Sequence, residues 1–484
     1  MTTTSTIPPR IIQGGMGVAV SGWPLARAVA LTGQLGVVSG TALEVVCARR
    51  LQLGDPGGHV RRALAHFPVP GVADRILRAY YLPGGKAADA PFRPVPRFTL
   101  HPARALQELT VAANFVEVFL AKEGHDGQVG VNYLRKIELP LPFACYGAML
   151  AGVDHVLVGA GSPAELPALL DRLARHERVA VTVRVQGTTS ADGDFAVEFD
   201  PRALFGTTLA PLRRPRFEAI VASVDLAEAL ASDPATRPDG FVVEGHPAGG
   251  HNAPPRGARR LDESGQPVYD ARDAVTPDAL AGLGVPYWMA GSYATPQGLA
   301  RAVAGGASGV QAGTIFALCE ESGMAGDCKR RLLERAAAGQ ARVHTDGRAS
   351  PTGFPFKVAD LPGTLSDAQV YADRPRICDL GVLRSAYRKP DGSVGYRCPA
   401  EPAAMYVDRR GGRVDNTVGR QCLCNALLAA AGLPQQRPDG YTEPPIVTAG
   451  TDFTGVRYLL SKVDGGVTYT AGDAVAYLLG PGLT

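Results

Sequence analysis

The sequence predicts an α/β fold: a (β/α)8 TIM barrel with a helical insertion, an inserted β-hairpin and a C-terminal extension. Residues 285–316 contain two short apolar strands that end in glycine and are joined by one short helix, which predicts parallel strands. The same order occurs in residues 11–40, and no G-x-G-x-x-G follows the first strand, which favours a barrel over a doubly wound sheet. The 484 residues exceed the roughly 250 of a simple barrel.

The opening unit comprises a strand over 11–14, a glycine loop, a helix over 22–33 and a strand over 35–39. Residues 41–127 interrupt this alternation of strands and helices, because they contain no clear strand. Their clearest helix spans 103–121, where apolar residues recur at helical spacing. We interpret 41–127 as a helical cap over the barrel mouth, since an insertion after a barrel strand lies at the active face. A separate partner-binding domain is the alternative.

The barrel resumes with strands predicted over 129–134 and 155–159. Asn132 is polar in an otherwise apolar strand, so its amide needs a partner there. Residues 179–187 and 195–199 alternate apolar and polar side chains around a turn, which predicts an antiparallel hairpin inserted between barrel strands. Further strands are predicted over 217–224 and 241–245.

The closing unit places small residues at two neighbouring strand tips. Thr295 and Pro296 fit the N-cap and first turn of the helix between the two strands. Gly291, Ser292, Gly313 and Thr314 would let an anion approach backbone N–H groups closely. A phosphate site at the last two strand ends is typical of this barrel. An ordinary tight turn at each tip is the alternative.

The extension, residues 359–484, is rich in turns and carries four cysteines, Cys378, Cys398, Cys422 and Cys424. Four thiolates can form a zinc or iron–sulfur site. However, no C-x2-C pair occurs and the extension has no histidine, so we favour buried reduced thiols and predict no metal.

Composition excludes several classes of protein. The net charge is +3 with 20% charged residues, which gives no electrostatic basis for nucleic-acid binding. No apolar run reaches the roughly 20 residues that span a bilayer. The N-terminus MTTTSTIPPR lacks the regions of a signal peptide, so we expect a cytoplasmic protein with reduced cysteines.

Three stretches carry a family resemblance, in the same order as in the family: IIQGGMG (11–17), FVVEGHPAGGH (241–251) and residues 290–316. They resemble the FMN-binding barrels of the nitronate monooxygenase (2-nitropropane dioxygenase-like) family, which also contains FMN-dependent enoyl reductases. The resemblance covers about 1–40 and 128–358. Three motifs in order are specific, although one alone would not be.

The resemblance implies non-covalent FMN. Gly14, Gly15 and Met16 would lie along the isoalloxazine, and Asn132 would face the flavin. Gly249 and Gly250 belong to the catalytic loop. The residues at the phosphate end are Ala290, Gly291, Ser292, Gly313 and Thr314. An ordinary turn at 14–16 and a core hydrogen bond for Asn132 are the alternatives. The loop 350–357 resembles the family's return segment past the flavin phosphate.

His251 is the predicted catalytic residue. In the family the histidine of the Gly-Gly-His motif lies over the flavin, where an imidazole can act as acid or base or bind the substrate's anionic group. His246 is the second candidate. Residues 252–256 depart from the commoner Gly-Gly-His-Arg-Gly continuation. This departure leaves the substrate class open but does not affect the prediction of flavin binding.

The resemblance implies an oxidoreductase with two readings. A nitronate monooxygenase would oxidise an alkyl nitronate with O2 to a carbonyl compound and nitrite. An enoyl reductase would use NAD(P)H and act on acyl chains borne by a carrier protein, a reading favoured by the insertion and the extension. A non-redox module that binds a phosphorylated ligand is the third hypothesis. From the family we expect a homodimer, with no nucleic-acid or membrane partner.

Overall fold

The structure is a computed structural model that describes residues 8–206, 209–258, 260–462 and 467–480. The predicted segments 1–40 and 359–484, and the N-terminal stretch MTTTSTIPPR, therefore lie partly outside the described residues. The β-strands of the described residues are β1 (Ile11–Gln13), β2 (Gly36–Ser39), β3 (Val129–Leu134), β4 (His155–Gly159), β5 (Val179–Thr182), β6 (Val185–Gln186), β7 (Ala196–Phe199), β8 (Arg216–Val221), β9 (Gly240–Glu244), β10 (Tyr287–Ala290), β11 (Gly309–Ala312), β12 (Val343–Asp346), β13 (Phe356–Ala359), β14 (Ser385–Arg388) and β15 (Val394–Arg397).

The α-helices are α1 (Trp23–Ala30), α2 (Leu43–Gln52), α3 (His59–Ala65), α4 (Val72–Tyr80), α5 (Arg104–Lys122), α6 (Leu141–Leu150), α7 (Leu166–Ala174), α8 (Pro201–Phe205), α9 (Val224–Ser232), α10 (Pro296–Ala304), α11 (Thr314–Ala317), α12 (Gly326–Ala337), α13 (Ala368–Asp373), α14 (Leu423–Ala430), α15 (Thr454–Leu460) and α16 (Ala471–Leu479). None of the helices in the described part of the chain combines the length and the apolar character that a bilayer-spanning segment needs.

Eight strands, β1 to β4 and β8 to β11, form a parallel sheet in chain order. β1 pairs with β11, and the Gln13 N–H donates to the Leu35 carbonyl at 2.9 Å, which joins β1 to the start of β2. The sheet therefore closes on itself, and the predicted (β/α)8 barrel is confirmed. The side chains that fill its interior are Ile12, Leu35, Val37, Leu157, Val242, Trp288 and Ala290.

The closing unit forms as its sequence predicts. The Thr295 hydroxyl accepts a hydrogen bond from the Gly298 N–H at 2.9 Å, and Pro296 occupies the first turn of α10. Leu299 and Ala302 are buried on the face that packs against the barrel. An N-cap and a proline in the first turn satisfy or remove donors that have no partner inside the helix.

The segment 41–127 divides into two parts. α5 packs against α1 and α6 and contacts β2 and β3, which is the place of the outer helix between two barrel strands. The chain therefore leaves the βα repeat only over about 41–103, not up to 127 as predicted. In that shorter stretch residues 95, 96 and 98 line a cavity beside the barrel mouth. The cap itself stays a prediction.

The inserted hairpin is confirmed, because β5 pairs with β7 in antiparallel fashion. The short strand β6 of the same insertion pairs in parallel with β14, which in turn pairs with β15. The sequence pattern gave no sign of this sheet, which ties the insertion to the extension.

The extension packs against both the barrel and the helical insertion. α16 contacts α1 and α10, and α15 contacts α12. The Phe92 N–H donates to the Gln435 side-chain carbonyl at 2.9 Å, and the Leu100 N–H donates to the Tyr396 hydroxyl at 2.7 Å. The extension is therefore part of the same packed body as the barrel.

The four late cysteines form two contacts. Cys378 is a neighbour of Cys398, and Cys422 is a neighbour of Cys424. Within the residues that the structure describes, no group of three or more histidine, cysteine or acidic side chains is arranged to hold a metal ion. All eight cysteines are present as free thiols.

Candidate active site at the barrel mouth

The carboxyl ends of the barrel strands enclose a cavity with two connected lobes. The strand-tip lobe, about 160 Å³, lies at the ends of β1, β10 and β11, and the histidine lobe, about 330 Å³, lies beside the end of β3. The residues that line both lobes are Gly15, Gly17, Glu244, Gly249, Gly250, Gln311, Leu427 and Thr448. A continuous cavity at this end of the strands is where ligands of this fold bind.

The strand-tip lobe brings together most of the residues predicted to hold a cofactor. These residues are Gly14, Gly15, Met16, Gly249, Gly250, Ala290, Gly291, Ser292, Gly313 and Thr314. Gly291 and Ser292 have positive φ angles of 88° and 61°, so the chain turns sharply where β10 ends. A Cβ on Gly291 would lie 2.9 Å from the Gly245 carbonyl oxygen, so glycine is needed there.

Asn132 and Gly15 both line the histidine lobe and lie directly against each other. A Cβ on Gly15 would collide with the Asn132 side chain. The Asn132 amide donates to the Leu157 carbonyl at 3.3 Å, which is the core hydrogen bond of the alternative interpretation, and Asn132 also lines the cavity. Both readings of Asn132 therefore describe part of its environment.

His251 lines the histidine lobe and is held on two sides. Its Nε2 lies 2.6 Å from the Ser350 hydroxyl, which is 2.8 Å from the Thr352 hydroxyl, and its ring packs edge-on against Phe356. Burial, with the nearby Lys136 charge, lowers the pKa of His251 to about 3. The imidazole is therefore neutral near neutral pH, where it can donate or accept a hydrogen bond.

His246 lies outside this cavity. It is exposed, and its ring stacks on Tyr269 at 4.5 Å beside a separate small pocket. The structure thus brings His251, and not His246, together with the other predicted residues.

The loop 350–357 lies at the histidine lobe, where Ser350, Phe354 and Phe356 surround His251 and the neighbouring lysine. The loop does not line the strand-tip lobe, and its course past a flavin phosphate stays a prediction. Residues 446–450 of the extension line the strand-tip lobe instead, and the Gly450 N–H donates to the Thr314 hydroxyl at 2.8 Å. An extension that lies outside the family pattern has no sequence signal for this position.

Three polar residues of the cavity were missed by sequence reasoning. Lys136 follows β3 by two residues, Glu244 ends β9 and Gln311 lies in β11. Burial raises the pKa of Glu244 to about 7. The Gln311 side-chain carbonyl is buried and makes no hydrogen bond within the described residues. Polar side chains at the carboxyl ends of apolar strands were the available signal.

A larger outer cavity of about 950 Å³ adjoins the histidine lobe. The two share Lys136, Ile137, Phe354 and Leu383 among their walls. Much of its lining comes from residues 95, 96 and 98 of the insertion, residues 182–187 of the hairpin segment and residues 380–386 of the extension. All three additions to the barrel therefore meet next to the candidate active site.

Comparison with known proteins agrees with the predicted resemblance. Residues 217–348 match the sequence model of the family described as nitronate monooxygenase. The chain is 31% identical over 120 residues to "(3aS,4S,5R,7aS)-5-hydroxy-7a-methyl-1-oxo-octahydro-1H-indene-4-carboxyl-CoA dehydrogenase" of Mycobacterium tuberculosis (strain ATCC 25618 / H37Rv). That match covers 25% of this chain and 30% of the relative, so the chain spans under a third of that relative's length.

Solved structures resemble the chain at low sequence identity. The nitroalkane oxidase from Streptomyces ansochromogenes is 16% identical, with 98% of this chain and 96% of that chain covered and a TM-score of 0.44. The enoyl reductase domain of MlnA from Bacillus amyloliquefaciens is 11% identical, with 97% and 95% covered and a TM-score of 0.48. FabK from Thermotoga maritima is 18% identical, with 74% and 72% covered and a TM-score of 0.37. The barrel assignment rests on the strand pairing of this chain itself.

Proposed function

Because residues 217–348 carry the sequence pattern of the nitronate monooxygenase family, we propose that this chain is an FMN-dependent oxidoreductase. The observation that supports it most is the two-lobed cavity, on which the three flavin-type motifs converge. Bound FMN would accept electrons from one substrate and pass them to another.

The cavity fits the cofactor in three respects. Gly291 and Gly313 leave the tips of β10 and β11 without side chains, and the Thr314 hydroxyl lies beside them, so a phosphate could approach there. The buried Gln311 carbonyl has no partner within the described residues, so it can accept a hydrogen bond from a ligand. Gly14 and Gly15 present backbone rather than side chain to the cavity.

The strand-tip lobe offers a phosphate no basic side chain among the described residues that line it. Its described lining contains no lysine or arginine, and Asp452 also lies there. The Asp452 carboxylate accepts the Thr454 N–H at 2.9 Å. The phosphate would therefore depend on backbone N–H groups and on the Thr314 and Ser292 hydroxyls.

The first substrate reading is an alkyl nitronate that is oxidised with O2 to a carbonyl compound and nitrite. Neutral His251 would accept a hydrogen bond or a proton at the reacting end, while Ser350 fixes the orientation of its ring. The apolar walls that Phe354 and Phe356 give the histidine lobe would exclude water from the reacting atoms.

The second reading is an NAD(P)H-dependent enoyl reductase for acyl thioesters. The outer cavity favours it, because about 950 Å³ next to the histidine lobe is far more than a small nitronate fills. The partial relative is named as a dehydrogenase of a carboxyl-CoA, which is a thioester of the same chemical class. A homodimer and a cytoplasmic location stay predictions from the sequence.

A visible spectrum of the purified protein, followed by anaerobic addition of NADPH or NADH, tests both readings. Rapid bleaching by a nicotinamide would support the reductase, whereas a flavin reduced only by a nitronate such as propionate 3-nitronate would support the monooxygenase. A protein that shows no flavin even after FMN is added would contradict the proposal.

The role of His251 is tested by His251→Ala, with His246→Ala as the matched control outside the cavity. We expect His251→Ala to keep the flavin spectrum and to lower turnover by about 10²-fold, the usual scale for an acid or base. Full activity in His251→Ala, or an equal loss in His246→Ala, would refute the assignment.

A further inference from the structure

Lys136 places an ammonium group at the junction of the histidine lobe and the outer cavity. Its Nζ is buried and makes no hydrogen bond to any of the described residues. The Phe354 ring centroid lies 2.8 Å from this nitrogen, on the loop that also holds His251. A buried cation without an anionic partner is costly.

The two carboxylates next to Arg135, the chain neighbour of Lys136, are bound to that arginine. Arg135 pairs with Glu138 at 3.3 Å and with Glu165 at 2.7 Å. Glu138 also accepts the Arg184 N–H at 3.0 Å. The adjacent arginine is therefore compensated on the protein side, whereas the lysine is directed at the cavity.

We propose that Lys136 binds the anionic oxygen that is conjugated with the reacting carbon of the substrate. This inference rests on the proposed function. A nitronate carries such oxygens, and hydride addition to the β-carbon of an enoyl thioester generates an enolate oxygen at the thioester carbonyl, so the same chemistry serves either reading. The ligand oxygen would give Lys136 the partner that the protein does not supply.

The electrostatic environment agrees with this role. Burial lowers the pKa of Lys136 to about 7, so an anion that favours the charged form would bind best below that pH. The titratable groups that face the lobe from other elements are His251, Glu244 and Cys424, and those of its own loop are Arg135 and Glu138. Glu44 lines the outer cavity, and burial raises its pKa to about 7 as well.

The test is calorimetric titration of the protein as purified with nitrite, a small anion with two oxygens, between pH 6 and pH 9. We expect nitrite binding to weaken at least ten-fold from pH 6 to pH 9, because Lys136 loses its ammonium form as the pH rises through a pKa of about 7. Lys136→Met should bind nitrite at least about ten-fold more weakly at pH 6 and show no pH dependence. Lys136→Arg should keep binding at pH 9, because a guanidinium stays charged.

Glu244→Gln and Glu44→Gln separate the lysine from the two carboxyls that titrate in the same range, since both variants should keep the wild-type midpoint. Unchanged nitrite binding in Lys136→Met, or a pH dependence abolished by either glutamine variant, would overturn the proposal. If Lys136→Met does not fold, Lys136→Gln gives the same comparison. The readout needs no flavin, so a protein that takes up no FMN would contradict the proposed function and leave this test intact.

Discussion

Two buried glutamates, one in the extension and one at the barrel mouth, have opposite surroundings. Glu443 in the extension is 1% exposed and lies 3.0 Å from Arg374, and its other oxygen pairs with Arg437. Glu244 at the end of β9 has no ion pair among the described residues, and burial raises its pKa to about 7. The same side chain is thus fully compensated in one region and left uncompensated in the other.

The difference extends beyond these two residues. Arg437 also pairs with Asp379 at 2.7 Å, so the interior of the extension is a closed network of charges. At the barrel mouth Lys136 has no hydrogen bond or ion pair among the described residues, and His251 has a pKa lowered to about 3. Uncompensated titratable groups that converge on a cavity are characteristic of functional sites, whereas paired ones are characteristic of scaffold.

Glu443→Ala tests the scaffold side of this comparison and should have the largest effect. Removing the carboxylate leaves Arg374, which is 8% exposed, without its partner. We expect the free energy of unfolding to fall by about 3–5 kcal/mol, the usual cost of breaking a buried ion pair, measured by urea denaturation.

Glu198→Ala is the control, because Glu198 pairs with Arg178 at an exposed site of the hairpin. This variant should unfold almost as the wild type does. An equal loss in both variants would mean that burial of the network is not what stabilises the extension.

Glu244→Gln tests the barrel-mouth side of the comparison, and its effect on folding stability should depend on pH. A carboxyl whose pKa is raised above the unfolded value holds its proton in the folded state, so stability falls as pH rises from about 4.5 to about 7. The glutamine amide does not titrate, so the variant has no such loss of stability. Relative to the wild type, its free energy of unfolding should rise by at most about 3 kcal/mol between pH 5 and pH 8.

The difference in unfolding free energy between variant and wild type isolates the contribution of Glu244, because other groups that titrate in this range contribute equally to both proteins. Thermal or urea unfolding at several pH values provides the curve. A constant difference across this range would show that Glu244 is ionised or fully solvated in the folded protein.

The sequence was informative where each residue's neighbours lie close by in the chain. Strand tips, the Thr295 cap and the hairpin around 179–199 were predicted because turn residues, caps and alternation are local signals. Predicted strand ends differ from observed ones by a few residues at most, as with 217–224 against Arg216–Val221. The motifs also pointed to most of the glycines at the strand ends that line the cavity, but not to Glu244 or Gln311 of the strands themselves.

The extension was not predictable in this way. Its contacts with the cavity join residues far apart in sequence, such as Gly450 with Thr314 and Thr448 with Gly250. The pairing of β6 with β14 links residues 185–186 with 386–387, and β6, with two residues, is too short to show a pattern. Lys136 escaped notice because an isolated lysine after a strand is usually a solvated side chain.

Thr448→Val tests whether the extension positions the catalytic loop of the barrel, and it should have the smallest effect. The Gly250 N–H donates to the Thr448 hydroxyl at 2.9 Å, one residue before His251, and valine keeps the shape while it removes the acceptor. One hydrogen bond is worth about 1 kcal/mol, so we expect turnover to fall about ten-fold or less with the flavin spectrum unchanged. Thr442→Val, an exposed threonine of the extension, is the control and should keep full turnover. Equal turnover in the two variants would show that the barrel loop is positioned without the extension, and that the extension closes the cavity without taking part in its chemistry.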